Sequence, residues 1–270
     1  ANPSLIYCSI SGYGSEGPRA KQKAYDLLIQ AESGLSAING TPEGPARVGV
    51  SVCDIAAGMT AYQAILEALI GRSRTGEGRV IEVSLFQAMA DWMNVPYLQY
   101  RYGGKAPTRQ GLQHPTIAPY GAFTCADGKE LLISVQNDRE WRDLCAALGE
   151  PDWGTKDIAR TNNDRVANRA AVDGFVQDRL GRLGREENIA LLDGARIAYG
   201  RLSDMQDVVE HPQSRFIEVP TSDGSLSLLS PGARVLGAEP VDYGPVPELD
   251  AQGAAIRAEF GAPERRPAVS

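Results

Sequence analysis

From Ile55 onward, apolar positions recur at Met59, Tyr62, Ile65, Leu66, Leu69 and Ile70, the three- and four-residue steps of one buried helical face, and Gly71 closes the run. The apolar segment Val48-Gly49-Val50-Ser51-Val52-Cys53 leads into this helix and delivers Asp54 to its start. Read along the first hundred residues, the pattern predicts a strand over 5–10, helices over 24–32 and 55–70, a strand over 80–85 and a helix over 87–100, with a turn at Thr75-Gly76-Glu77-Gly78. Such alternation predicts a parallel sheet with helices on its faces.

The pattern changes after Tyr102-Gly103-Gly104-Lys105-Ala106-Pro107, where a Gly/Pro-rich passage to Pro119 reads as a linker or lid. Strands over 120–125 and 130–135 flank Asp127-Gly128, a hairpin signal because this pair tolerates the positive φ of a tight turn. Helices are expected over 139–148, 165–183 and 186–192, strands over 216–219 and 226–229, and a closing helix over 251–260. The resulting organisation is a large α/β domain over 1–104, a linker over 105–119, a smaller α+β domain over 120–210, and a return to the large domain over 211–270.

Composition narrows the function. The chain has 270 residues, is 43% hydrophobic and carries a net charge of −7, with a pI near 5.0. An acidic surface argues against nucleic acid or an anionic membrane as partner. No uninterrupted apolar run approaches the about 20 residues of a membrane span, and no charged-then-apolar leader opens the chain, so a cytoplasmic protein is expected. Cys8, Cys53, Cys125 and Cys145 lack CxxC spacing and read as buried reduced thiols. With only His114 and His211 available, no metal centre is expected. The opening Ala1-Asn2-Pro3-Ser4 runs at once into a strand, as if from the middle of a domain.

Asp54 has two readings. An aspartate at a helix start accepts hydrogen bonds from the free N–H groups of the first turn and sits at the positive end of the helix dipole, which makes it a good cap. The same placement holds a carboxylate charged and pointed, as a nucleophile requires. Gly12-Tyr13-Gly14-Ser15-Glu16-Gly17 formally fits GxGxxG after a strand, yet no strongly periodic helix follows, and an ordinary glycine-rich loop is the expected outcome. Lys21, Lys23, Tyr25 and Asp26 read either as the solvated start of a helix or as ligand contacts. Arg101, Lys105, Arg109 and His114, interspersed with Gly103, Gly104 and Gly111, suit a lid closing over an anionic substrate.

Taken in order, Asn2-Pro3-Ser4-Leu5-Ile6-Tyr7, Gly12-Tyr13-Gly14 with Gly17-Pro18, Tyr25-Asp26, Cys53-Asp54 with Gly58, Arg74-Thr75-Gly76-Glu77-Gly78 and Ala126-Asp127-Gly128 resemble the family III CoA-transferases, the CaiB/BaiF family. The resemblance implies a Rossmann-like parallel-sheet domain with a smaller α+β domain, and coenzyme A or acyl-CoA as a substrate rather than a resident cofactor. It implies that Asp54 attacks an acyl-CoA to give a mixed anhydride, then carries CoA as an aspartyl thioester to the acceptor acid. Lys23, Tyr25 and Asp26 correspond to contacts near bound CoA, and Gly111, His114 and Arg109 to the lid and substrate side. The family's run of consecutive glycines is here Gly111-Leu112-Gln113-His114-Pro115.

The stretch around Asp54 is most similar to members handling small dicarboxylic or branched C4–C5 acids, and Arg101, Lys105 or Arg109 could meet a second carboxylate. The runner-up is a 2-methylacyl-CoA racemase, a member of the same fold group that uses a histidine where this chain has Tyr25; tyrosine is a poor general base at neutral pH. The family begins with a strand-helix segment that this sequence starts after, and its members are interlocked homodimers. A shortened chain, a subunit needing a partner N-terminal subunit, or a non-catalytic remnant are therefore all expectations, and the chain alone is expected to bind CoA poorly.

Overall fold

The strand Ile6–Ser11 lies parallel to the strand Arg79–Ser84, with Ile6 opposite Arg79 and Ser11 opposite Ser84. This arrangement is seen in a computed structural model that describes residues 2–239 and 241–261. Between the two strands run the helices Asp26–Glu32 and Leu35–Ile38, a short antiparallel pair Gly40–Thr41 and Gly44–Pro45, and the long helix Val52–Thr75. The helical crossover is what parallel strands require, since no tight turn can join them.

The long helix starts earlier and ends later than the periodicity predicts. It runs through Gly71 and stops at Gly76, whose φ of 76° ends it while its N–H donates to the Arg72 carbonyl. Its buried face is also different. Cys53, Ala56, Ala57 and Ala61 pack with Ile29, Val83, Ala88 and Met89, whereas Met59 (52% exposed), Tyr62 (64%), Leu66, Leu69 and Ile70 face outward and Ile65 is half-buried. Alanines allow the strands and neighbouring helices to approach closely, and nothing among the described residues covers the larger side chains. The periodicity marks a real apolar face, but the face buried among the described residues is the alanine one.

By length and composition this helix also meets the requirements of a membrane span. Its apolar residues are not consecutive, since Asp54, Thr60, Gln63 and Glu67 fall among them.

The helix expected over 87–100 is two, Leu85–Trp92 and Asn94–Gly103. Ser84 caps the first by accepting the Gln87 N–H at 3.1 Å. The break follows from Pro96, which lacks an N–H to continue the ladder, and from Asn94, whose side chain donates to the Asp91 carbonyl at 2.8 Å.

A second core forms on the antiparallel sheet Tyr120–Thr124, Glu130–Ser134 and Ala198–Arg201, the last strand unforeseen. Gly128, at φ 74°, makes the expected tight turn. Leu131, Ile133, Trp141, Leu144, Val172, Val176, Leu180 and Leu192 fill this core from the sheet and from the helices Asp138–Ala147, Arg169–Leu180 and Arg185–Ala195. The helix expected over 165–183 is divided at Asn168 into Asn162–Ala167 and Arg169–Leu180. The described residues up to Arg201 make one compact unit and those from Leu202 onward another; the second contains the helix Met205–Glu210, the hairpin Phe216–Thr221 with Gly224–Leu229, and the helix Gly253–Phe260.

Candidate active site

Asp54 is the third residue of Val52–Thr75, and it does not cap that helix. Nor does Ser51, the residue at the cap position, which makes no side-chain bond to the first turn. The cap comes from another helix: Oδ1 of Asp26 accepts the Cys53 backbone N–H at 2.8 Å, and its Oδ2 accepts from Gln30 Nε2 at 2.8 Å. One orphan donor of the first turn is thus satisfied without Asp54. Among the described residues the Asp54 carboxylate accepts no hydrogen bond, and it is exposed.

Its neighbour Cys53 is buried, and burial pushes its thiol up to about 12, helped by the Asp26 charge, by a hydrogen bond to Asp26 and by the Asp54 charge. A thiol held protonated is a poor nucleophile. Of the two adjacent groups that could attack an acyl carbon, the carboxylate is the available one.

The bond between Asp26 and Cys53 brings the start of the helix Asp26–Glu32 beside the start of the long helix. Lys23 and Tyr25, just before Asp26, are exposed, Tyr25 to 68%. Asp26 differs from them, because both of its oxygens hold protein groups. Gln30, which is wholly buried, is the member of this group that sequence reasoning misses. The available signal is an amide one turn after Asp26, directly behind the apolar run Leu27-Leu28-Ile29.

The linker is tied down at two places. Arg109 donates to the carbonyls of Thr41 (2.8 Å), Ala37 (3.3 Å) and Pro42 (3.4 Å), and the N–H of Gly111, at φ 59°, donates to Gly40 at 2.8 Å. Of Arg101, Lys105 and Arg109, the cations expected for a second substrate carboxylate, Arg109 has its guanidinium engaged by backbone carbonyls. His114 stacks on Tyr120 at 5.2 Å, its Nδ1 accepts the Thr116 N–H at 3.3 Å, and its carbonyl accepts from Arg169 Nη2 at 2.7 Å. Gly111 is thus held by the short hairpin and His114 by the second core. Lys105, in contrast, is exposed and borders a cavity of about 360 Å³ with Gln99, Thr108 and Pro115.

The glycine-rich loop is an ordinary turn. Gly14 and Gly17 take positive φ values, Ser11 Oγ accepts the Gly14 N–H at 2.9 Å, and Glu82 accepts the Ser15 N–H at 3.0 Å. A carboxylate on a loop N–H opposes a phosphate there. The adjoining cavity, about 430 Å³, is lined by Tyr13, Thr60, Glu82, Gln87 and Asp91 and is not bordered by Asp54.

The sequence matches the family described as CoA-transferase family III over residues 1–249. It is 34% identical over 268 residues to the acetyl-CoA:oxalate CoA-transferase of Acetobacter aceti, spanning 98% of this chain and 69% of that protein. It is 32% identical over 273 residues to the succinate–glutarate CoA-transferase of Agrobacterium fabrum, spanning 98% of this chain and 67% of that protein. The crystal structure of a CaiB/BaiF family protein from Brucella suis superposes with a TM-score of 0.83 at 35% identity, over 96% of this chain and 68% of that one. The chain accordingly spans about two thirds of the length of these relatives. On sequence and fold together, it belongs to the family III CoA-transferases.

Proposed function

We propose that this protein moves CoA between small dicarboxylic acids, with Asp54 as the nucleophile. The observation that carries this reading is the exposed Asp54 carboxylate, left unengaged because Asp26 does the capping. The names of the two relatives, which act on oxalate and on succinate and glutarate, support the substrate class.

An oxygen of Asp54 attacks the thioester carbonyl of the donor, forming a mixed anhydride and releasing CoA thiolate. The thiolate then attacks the aspartyl carbonyl, giving an aspartyl-CoA thioester and the free donor acid. The acceptor carboxylate runs the two steps in reverse, so the activation of the thioester is conserved if water is kept out. The carboxylate stands in the first turn of the long helix, at the positive end of its dipole. The protonated Cys53 thiol leaves Asp54 without a competing nucleophile beside it. Lys105 replaces Arg109 as the cation for a second substrate carboxylate.

Lys23 and Tyr25 are proposed to contact CoA, since they stand exposed just before Asp26, which is bonded to the segment that carries Asp54. The uncovered Met59, Tyr62, Leu66, Leu69 and Ile70 support an intimate second copy or a further segment of polypeptide against this helix. Free Cys8, Cys53, Cys125 and Cys145 favour a reducing, cytoplasmic setting.

The test is CoA exchange by the full-length protein. Succinyl-CoA or acetyl-CoA is incubated with oxalate or glutarate and the acyl-CoA products are separated by chromatography. A new acyl-CoA that disappears in Asp54→Ala supports the reading. Deuterium uptake at the α-carbon of a 2-methylacyl-CoA without exchange assigns the protein to the racemases instead.

A further inference from the structure

The helix Asp26–Glu32 contains one residue that packing alone does not explain. Gln30 is wholly buried, beside the core residue Ile29, where a leucine or methionine would bring no polar group to satisfy. Its amide is instead fully used. Nε2 donates to Asp26 Oδ2 at 2.8 Å and lies 3.4 Å from the Val48 carbonyl oxygen, while Oε1 accepts the Val48 N–H at 2.8 Å. Only one orientation of the amide fits, because the reverse would set NH₂ against the Val48 N–H and the oxygen against a carboxylate.

Asp26 extends the chain of bonds to the Cys53 N–H. Two side chains one helical turn apart therefore grip residues 48–53 at both ends, one through Val48 and one through Cys53. The next residue is Asp54.

We propose that Gln30 is a positioning residue for Asp54, acting through Asp26 and Val48; the proposal rests on Asp54 being the nucleophile. Gln30 fixes the Asp26 carboxylate in the rotamer that caps the first turn, and it holds the entering backbone in register with it. Displacing a reacting group by about 1 Å can cost roughly a hundredfold in rate. A grip on both ends of the preceding segment guards against that displacement.

The experiment compares Gln30→Met, Gln30→Glu and Asp54→Ala in the full-length protein. It reads kcat and KM of CoA exchange, hydroxylamine-trapped label at residue 54, and Tm. Q30M keeps the volume and removes the bonds. It is expected to lower kcat about tenfold or more, leave KM for acyl-CoA within about twofold, and reduce label at residue 54 in parallel.

In Q30E the introduced carboxylate faces Asp26 from one turn away, with the protonated Cys53 thiol as the other titratable group against Asp26. Activity is expected to be low at neutral pH and to recover on acidification, as the protonated side chain donates to Asp26 in place of the amide. The wild type is expected to show no such recovery. If Q30M does not fold, the Q30E pH profile decides the question.

Unchanged kcat in Q30M, or a Q30E profile parallel to the wild type, overturns the proposal. If Asp54→Ala abolishes exchange while Q30M does not alter kcat, only the role of Gln30 fails. If Asp54→Ala retains exchange, the nucleophile reading itself is wrong.

Discussion

The Asp26 carboxylate accepts the Cys53 N–H at 2.8 Å across 27 positions of sequence, and this bond separates two roles that one aspartate could have filled. Asp26 caps the long helix from outside it. Asp54, one residue after the capped N–H, accepts no hydrogen bond among the described residues.

Replacing Asp26 by alanine should cost about 0.5–2 kcal/mol, the usual loss for a helix cap, because the Cys53 N–H and the Gln30 amide both lose their acceptor. Asp26→Asn retains an oxygen for Cys53 and should lose less. Urea unfolding of the two variants checks the order; an unchanged midpoint for Asp26→Ala would show that the bond contributes nothing.

Cys53 and Cys145 should resist alkylation in the folded protein at pH 8, because burial pushes both thiols up to about 12. The corresponding stability is fully present below the thiol's ordinary value of 9.0 and is lost as pH rises through about 12, since the unfolded chain releases these protons first. Replacing both cysteines by alanine should flatten the fall in stability between those limits. Alkylation mapped by mass spectrometry, with and without urea, tests the first part. Rapid folded-state labelling of Cys53 would contradict it.

These effects also show how much could be read before the structure. The parallel strands, the tight turn at Asp127-Gly128 and the long helix were legible because each depends on local periodicity or on turn chemistry within a few residues. The buried face of that helix was not, since Met59 and Tyr62 announce an apolar surface without saying what covers it. Asp54 could be singled out from its position, but its freedom from capping could not. That freedom depends on Asp26, a partner brought close by folding, and on Gln30, whose polarity has a reason only in three dimensions. Arg109 depends on the fold in the same way: a cation among glycines looks available until the carbonyls of Ala37, Thr41 and Pro42 are placed around it.

Asp173 should destabilise the fold at neutral pH. Burial raises its pKa, against a smaller lowering by Arg169. Gln113 donates to Oδ2 at 3.2 Å, and Oδ1 is buried without a partner. A carboxyl raised in the folded state contributes stability below its unfolded value and loses it as pH rises through the folded one. Asp173→Asn should therefore unfold at a higher temperature than the wild type at pH 7, with the difference shrinking toward about pH 4. Thermal unfolding at both pH values checks this, and a variant less stable at pH 7 would contradict it.

Gly78→Ala should destabilise by about 1–3 kcal/mol, the range for overpacking. A Cβ at Gly78 would overlap the Leu5 carbonyl, and the Gly78 N–H donates to Pro3 at 2.8 Å, so backbone on both sides must shift. Denaturant unfolding measures the loss. Gly71→Ala serves as the comparison, because its Cβ would meet only the far end of the Arg79 side chain, at 3.6 Å.

The most direct measurement is covalent trapping. The full-length protein is incubated with succinyl-CoA and hydroxylamine, digested, and mapped by mass spectrometry. An aspartyl hydroxamate at Asp54, absent without acyl-CoA, is the predicted result. Hydroxamate at another residue, or none while CoA exchange proceeds, would contradict the account.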